Sequence, residues 1–148
     1  MISIDLKEKL IVLAKEAQEN AYVPYSKFAV GAALITEDGD IFTGCNVENI
    51  SYGLSICGER TAILKMISEK GPKTKIKAIV NTTKTDIACS PCGACRQVIL
   101  EFSGPDTVVI YKNEEEFIVV PASHILPGAF VEFVAIDGDG SAKRIQKG

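Results

Sequence analysis

The sequence has no tryptophan, a single histidine and no cluster among its 16 lysines and arginines. Acidic residues number 19 and the net charge is −3, so a nucleic-acid partner held mainly through phosphate contacts is not expected. No apolar run approaches the roughly 20 residues needed to cross a bilayer, and a membrane role is not expected either. The first residues, Met1-Ile2-Ser3-Ile4-Asp5, lack the basic and apolar regions of a secretory signal, which makes the cytoplasm the expected location. What is present is ordinary for a globular domain, with 47% hydrophobic and 24% charged residues over 148 positions. At that length roughly 70% of the unfolded surface can be buried. Residues 1–148 are therefore expected to form one domain, with 131–148 as a C-terminal tail.

Five cysteines break this ordinary pattern: Cys45, Cys57, Cys89, Cys92 and Cys95. An odd number excludes a complete disulfide framework within one chain, and no signal points to an oxidising compartment. Three of the five fall within positions 89–95, which suggests a metal more than a disulfide.

Leu6, Leu10, Leu13, Ala14 and Ala17 recur at helical spacing behind a Ser3 cap and predict a helix over 4–20, which Pro24 stops from continuing. Apolar residues 28–35 and 41–45 around Asp38-Gly39 predict a hairpin. Residues 57–69 and 92–102 read as helices, and 76–80, 107–111 and 117–120 as strands. Strand-helix-strand steps imply parallel neighbours, and the hairpin adds an antiparallel edge. The expected fold is α/β, a three-layer α/β/α sandwich around a five-stranded mixed sheet.

Cys57-Gly58-Glu59 and Pro91-Cys92-Gly93-Ala94-Cys95 both open helices, where the partial positive charge of the N-terminus favours thiolate. Cys92 and Cys95 lie one turn apart, and Cys57 would complete three protein ligands, the zinc arrangement that keeps a position open for catalysis. Glu59 shares the first turn with Cys57 and can reach that position without binding the metal; zinc deaminases combine these elements. The alternative is a closed structural site with Cys89 as fourth ligand, since Cys89 and Cys92 also have the right spacing. Taken alone, Cys45 reads as a buried strand thiol, Phe28 and Phe130 as core, Glu48 as a solvated carboxylate, Asn46 as a turn residue and His124 as surface.

Taken together, these segments resemble the small, homotetrameric, zinc-dependent cytidine deaminases. The resemblance covers about 10–130 and rests on Pro24-Tyr25-Ser26-Lys27-Phe28-Ala29-Val30-Gly31, Gly44-Cys45-Asn46-Val47-Glu48-Asn49, Ser51-Tyr52-Gly53-Leu54, Cys57-Gly58-Glu59-Arg60-Thr61-Ala62, Ser90-Pro91-Cys92-Gly93-Ala94-Cys95-Arg96-Gln97-Val98 and Leu126-Pro127-Gly128-Ala129-Phe130. It implies one zinc per chain on Cys57, Cys92 and Cys95, with Glu59 as the proton shuttle. It puts Phe28 against the pyrimidine, Asn46 and Glu48 at the ribose hydroxyls, and Val47 and Gly58 among the substrate-binding positions. Tyr52 and Phe130 would approach a neighbouring subunit's site, and Arg60 would bond the ligand thiolates. Three thiolates on Zn²⁺ leave a formal charge of −1, and a cation such as Arg60 offsets the resulting loss of Lewis acidity.

The implied reaction is hydrolytic deamination of cytidine and deoxycytidine, as in pyrimidine salvage, with a nucleoside as the small-molecule partner. Glu59 takes a proton from the attacking water and delivers protons to N3 and the leaving amine. Three departures stand out: Gly58 where the family usually has Ala, Cys89 at a non-ligand position, and a tail after Phe130 unlike the usual ending. A polynucleotide deaminase is disfavoured by the acidic surface and by Glu48, which would repel a 3′ phosphate. A deaminase of nucleoside-like antibiotics is disfavoured by the Asn46 and Glu48 pair, and a non-catalytic zinc protein is separable by assay.

Overall fold

The computed structural model describes residues 2–85 and 87–146. In chain order the elements are α1 (Ile4–Gln18), β1 (Val30–Thr36), β2 (Ile41–Cys45), α2 (Gly58–Lys70), β3 (Ile76–Thr83), α3 (Gly93–Glu101), β4 (Ser103–Lys112), β5 (Phe117–Pro121), β6 (Glu132–Ile136) and β7 (Ala142–Gln146). Ser3 caps α1 as its position predicts, its hydroxyl accepting the Leu6 N–H at 3.3 Å. The helix ends at Gln18, before the sequence pattern does.

β1 to β5 form one sheet in the order β2-β1-β3-β4-β5. On one face α1 packs Leu10, Ile11 and Ala14 against Ala33, Ile35, Val80 and Ile110. On the other, α2 and α3 bring Ala62, Ile63, Met66 and Ile99 to Ala32, Leu34, Ile79 and Val109. This is the expected three-layer sandwich. β1 is buried along its whole length because helices cover both of its faces, which is why it reads as a continuous apolar run.

One expectation about the sheet is corrected. Among the described strands, only β3 and β4 are parallel neighbours. β2 and β3 lie on either side of β1, each paired antiparallel with it. The hairpin leaves β1 with one open edge, and landing β3 on that edge puts the most apolar strand inside the sheet.

Gly44 on β2 decides where α2 begins. A Cβ there would stand 2.5 Å from Ala62 N and 2.7 Å from Gly58 O, both backbone atoms. With no side chain between them, strand and helix touch directly, so the start of α2 is registered against the sheet. Gly31 does the same for α1, where a Cβ would lie 1.9 Å from Ala14 O.

The expected tail contains a second hairpin. β6 and β7 pair antiparallel and are closed by the turn Asp137-Gly138-Asp139-Gly140, with Gly140 at φ 82°. Neither face of β6 is uniformly polar, so its alternation did not separate it from an apolar coil. Phe133, Val134 and Ile136 are exposed. No helix among the described residues is long and apolar enough to cross a membrane.

Candidate metal centre and substrate cavity

Cys57 is the N-cap residue of α2, and Cys92 is that of α3. Neither side chain bonds the backbone of its own helix, so both sulfurs are free to face one another. Cys95, one turn into α3, is fully buried. The Cys57 and Cys92 sulfurs are 3.8 Å apart, and all three ligand atoms lie within 4.8 Å of one another. A tetrahedral centre with metal–sulfur bonds of about 2.3 Å sets its sulfurs about 3.8 Å apart. The trio therefore fits a zinc ion in both donor chemistry and spacing. Cys89 is not part of this cluster, which is the only such group found among the described residues. Cys45 sits half-buried at the end of β2, with its thiol pKa raised by burial.

The electrostatics favour an ionised Cys57. The Cys57 pKa falls to about 5, held there by hydrogen bonds from the Cys95 thiol, Arg60 and Cys92. The Cys95 pKa is pushed upward by its bond to Cys57 and by burial. Arg60 Nη2 donates to Cys57 Sγ at 3.6 Å and to Ser55 O at 3.4 Å, which places its charge where the resemblance expects it.

Glu59 is 3% exposed, and burial raises its pKa first of all, with the Cys57 charge adding to the effect. Its Oε2 accepts from the Cys95 thiol at 3.7 Å, and its Oε1 accepts from Asn81 Nδ2 at 2.9 Å. A buried carboxyl with a raised pKa beside a three-sulfur cluster is suited to taking and returning protons. Asn81 escaped the sequence reading, which ended its strand at Val80. The signal was a carboxamide continuing an apolar strand, a placement that needs a bonding partner.

A cavity of about 340 Å³, within the size range of small-molecule sites, opens beside Cys57. Ser26, Asn46, Glu48, Tyr52, Ser55 and Ile56 line the rest of it. Glu48 Oε2 accepts the N–H groups of Tyr25 at 3.0 Å and Ser26 at 3.2 Å. With the Ser26 hydroxyl, these bonds hold its carboxyl below the ordinary value. The turn that supplies them puts Lys27 at φ 58°, a left-handed conformation few side chains adopt. Asn46 ties the same turn to β1, donating to Phe28 O and accepting from Val30 N, each at 2.8 Å. One amide N–H of Asn46 is not used by these bonds, and the two backbone N–H groups leave the second Glu48 oxygen untouched.

Of the other positions named by the resemblance, all but Tyr52 stand apart from the cavity. Val47 is exposed, and its backbone N–H and C=O both pair with Ile56 at 2.9 Å. Gly58 is buried, and a Cβ there would meet Val30 O at 3.3 Å, which is tight but not excluded. Phe28 is half-buried and does not line the cavity. Tyr52 does line it, is 69% exposed, and meets Tyr25 edge to face with ring centroids 5.8 Å apart. Phe130 is 66% exposed and outside the cavity of its own chain. Its backbone is clasped by Gln97 of α3, which donates to Phe130 O at 2.8 Å and accepts from Phe130 N at 3.2 Å. His124 is a surface residue, as expected.

Residues 4–112 match the family model described as the cytidine and deoxycytidylate deaminase zinc-binding region. A cytidine deaminase of Sporosarcina psychrophila is 48% identical over 83% of this chain and 90% of its own length. One from Halalkalibacterium halodurans is 46% identical over 84% and 93%. Among solved structures, the cytidine deaminase of Burkholderia pseudomallei superposes with a TM-score of 0.76 at 46% identity, covering 83% of this chain and 98% of that one.

Proposed function

The chain belongs to the cytidine and deoxycytidylate deaminase family, and from that premise we propose that it hydrolyses free cytidine and deoxycytidine to uridine and deoxyuridine, releasing ammonia. The observation that carries this reading is a three-sulfur zinc site with a buried carboxyl beside it, next to a cavity bordered by an amide and a carboxylate. Cys57, Cys92 and Cys95 hold the zinc. Bound zinc supplies the Lewis acidity that brings the pKa of a water toward neutrality.

Glu59 takes a proton from the attacking water and hands protons to N3 and to the amine leaving C4. Asn46 and Glu48 bond the ribose hydroxyls with the amide N–H and the carboxylate oxygen left over from holding the loop. Phe28 packs against the pyrimidine, Val47 and Gly58 border the substrate, and Arg60 moderates the charge of the sulfur cluster. The whole chain acts as one domain in the cytoplasm, a compartment that suits its five unpaired thiols. Pyrimidine salvage is the setting this activity serves.

An ultraviolet absorbance assay tests the substrate class. Cytidine and deoxycytidine are expected to be converted, and a 3′-phosphorylated or oligomeric cytidine is not, because Glu48 repels a phosphate at that hydroxyl. Robust deamination of an oligonucleotide, weakened by added salt, would reverse this assignment.

We further infer a homotetramer in which Tyr52 and Phe130 approach a neighbour's site. The support is an aromatic held on a fixed backbone, exposed, and outside its own cavity. Ile50, Tyr52 and Leu54 near the cavity are also exposed and call for cover. Aromatic stacking on a base is worth about 1–3 kcal/mol, so Phe130→Ala should raise KM by about five- to 150-fold while the protein stays folded. Sedimentation is expected to give the mass of four chains; a fully active monomer would contradict this.

A further inference from the structure

We propose that Asn81 is a positioning residue, whose side-chain amide holds Oε1 of Glu59 and so fixes the aim of the carboxyl. This rests on the deaminase reading above and assigns the group that orients its proton shuttle.

Asn81 lies in β3, opposite Ala32 of β1, and is 2% exposed. A carboxamide in a sheet covered on both faces is unfavourable unless bonded. Its bonds go in one direction. Nδ2 reaches Glu59 Oε1 at 2.9 Å and Cys89 Sγ at 3.9 Å, while Oδ1 is buried with no partner among the described residues. An amide chosen for stability would satisfy its oxygen, and an apolar residue of the same size would avoid the question altogether. This residue leaves its acceptor unmatched in order to present N–H to a carboxylate. With Glu59 ionised, turning the amide over would set oxygen against the carboxylate, so the working form of the base fixes the orientation.

Each oxygen of Glu59 has one partner, Oε1 the Asn81 amide at 2.9 Å and Oε2 the Cys95 thiol at 3.7 Å. The bond to Asn81 is the shorter, and it alone does not depend on a sulfur that holds the metal. Asn81 does not line the cavity. Its effect passes through the aim of one carboxyl, and loss of aim at a reacting group lowers rate by up to about 10²-fold. The Cys89 sulfur takes the second amide hydrogen, which gives this thiol a role outside the metal cluster.

Two variants test the assignment. Asn81→Leu keeps the branched outline of the side chain and removes the unmatched oxygen; Asn81→Ala removes the amide outright. Both are expected to keep one zinc per chain and a KM for cytidine within about two-fold of wild type, and to lose about 10- to 100-fold in kcat. The Leu variant should melt no lower than wild type, a split between stability and rate that a purely structural asparagine does not give. In a Glu59→Gln background, Asn81→Ala should lower the residual rate by less than about two-fold, because the pair acts as one unit.

Near-native kcat in both variants overturns the proposal, as does an undiminished further loss in the Gln background. Failure of both variants to fold makes Asn81 structural and overturns it too. A wild type idle on cytidine would instead remove the deaminase reading itself. An active wild type with equally active variants removes Asn81 alone.

Discussion

Glu59→Gln is expected to hold zinc and fold while losing cytidine turnover by about 10²- to 10⁴-fold, and by more if one group serves every proton transfer. The substitution is isosteric, and the buried site accommodates it. The Gln oxygen can accept the Asn81 N–H that now goes to Oε1 at 2.9 Å, so the side chain has a partner ready and no cavity opens. What the amide cannot do is take a proton from water or return one to a ring nitrogen. Steady-state kinetics with cytidine, beside zinc content per chain, checks this. Near-native turnover would show Glu59 to be a structural carboxylate.

Removing a sulfur acts on the metal. Ala substitution of Cys57, Cys92 or Cys95 should each abolish stoichiometric zinc and turnover, whereas Cys89→Ala should keep one zinc per chain. The three sulfurs lie within 4.8 Å of one another, and two of them have the separation a tetrahedral ion imposes. Cys89 instead sits beside the Asn81 amide. Two remaining thiolates fall short of the three protein ligands a catalytic zinc requires. Metal analysis of the purified variants decides the matter. Loss of zinc in Cys89→Ala with retention in Cys92→Ala would exchange the two assignments.

Much of the site was legible in the sequence because its chemistry is local. Cys57 and Glu59 share one turn and Cys92 and Cys95 another, and periodicity fixed both as helix starts. The meeting of the two turns was not local; only the metal requirement and the family resemblance joined them. Strand order is harder still, since hydrophobic pattern reports that β1 is buried on both faces but not which strand lies on each side. The β6–β7 hairpin was missed because apolar residues on both faces erase the period of two. Asn81 was missed for a related reason: a buried amide identifies itself only by its partner, and that partner is 22 positions away. Phe130 is the converse case, legible by motif, yet left by its own fold facing away from its own cavity.

The pairing of two helix starts on one face of the sheet also bears on the unfolded chain. Cys57 and Cys92 are 35 positions apart, with all of α2 and β3 between them. A bond that ties those positions closes a loop, and an unfolded chain carrying such a tie has fewer conformations to return to. If the entropy of a covalent cross-link is a guide, a loop of this length is worth roughly 4 kcal/mol. That is a large share of the 5–15 kcal/mol that usually separates folded from unfolded domains. The ion that makes the chemistry possible would then act as a clasp on the chain, and purification in a chelator would strip away cohesion together with catalysis.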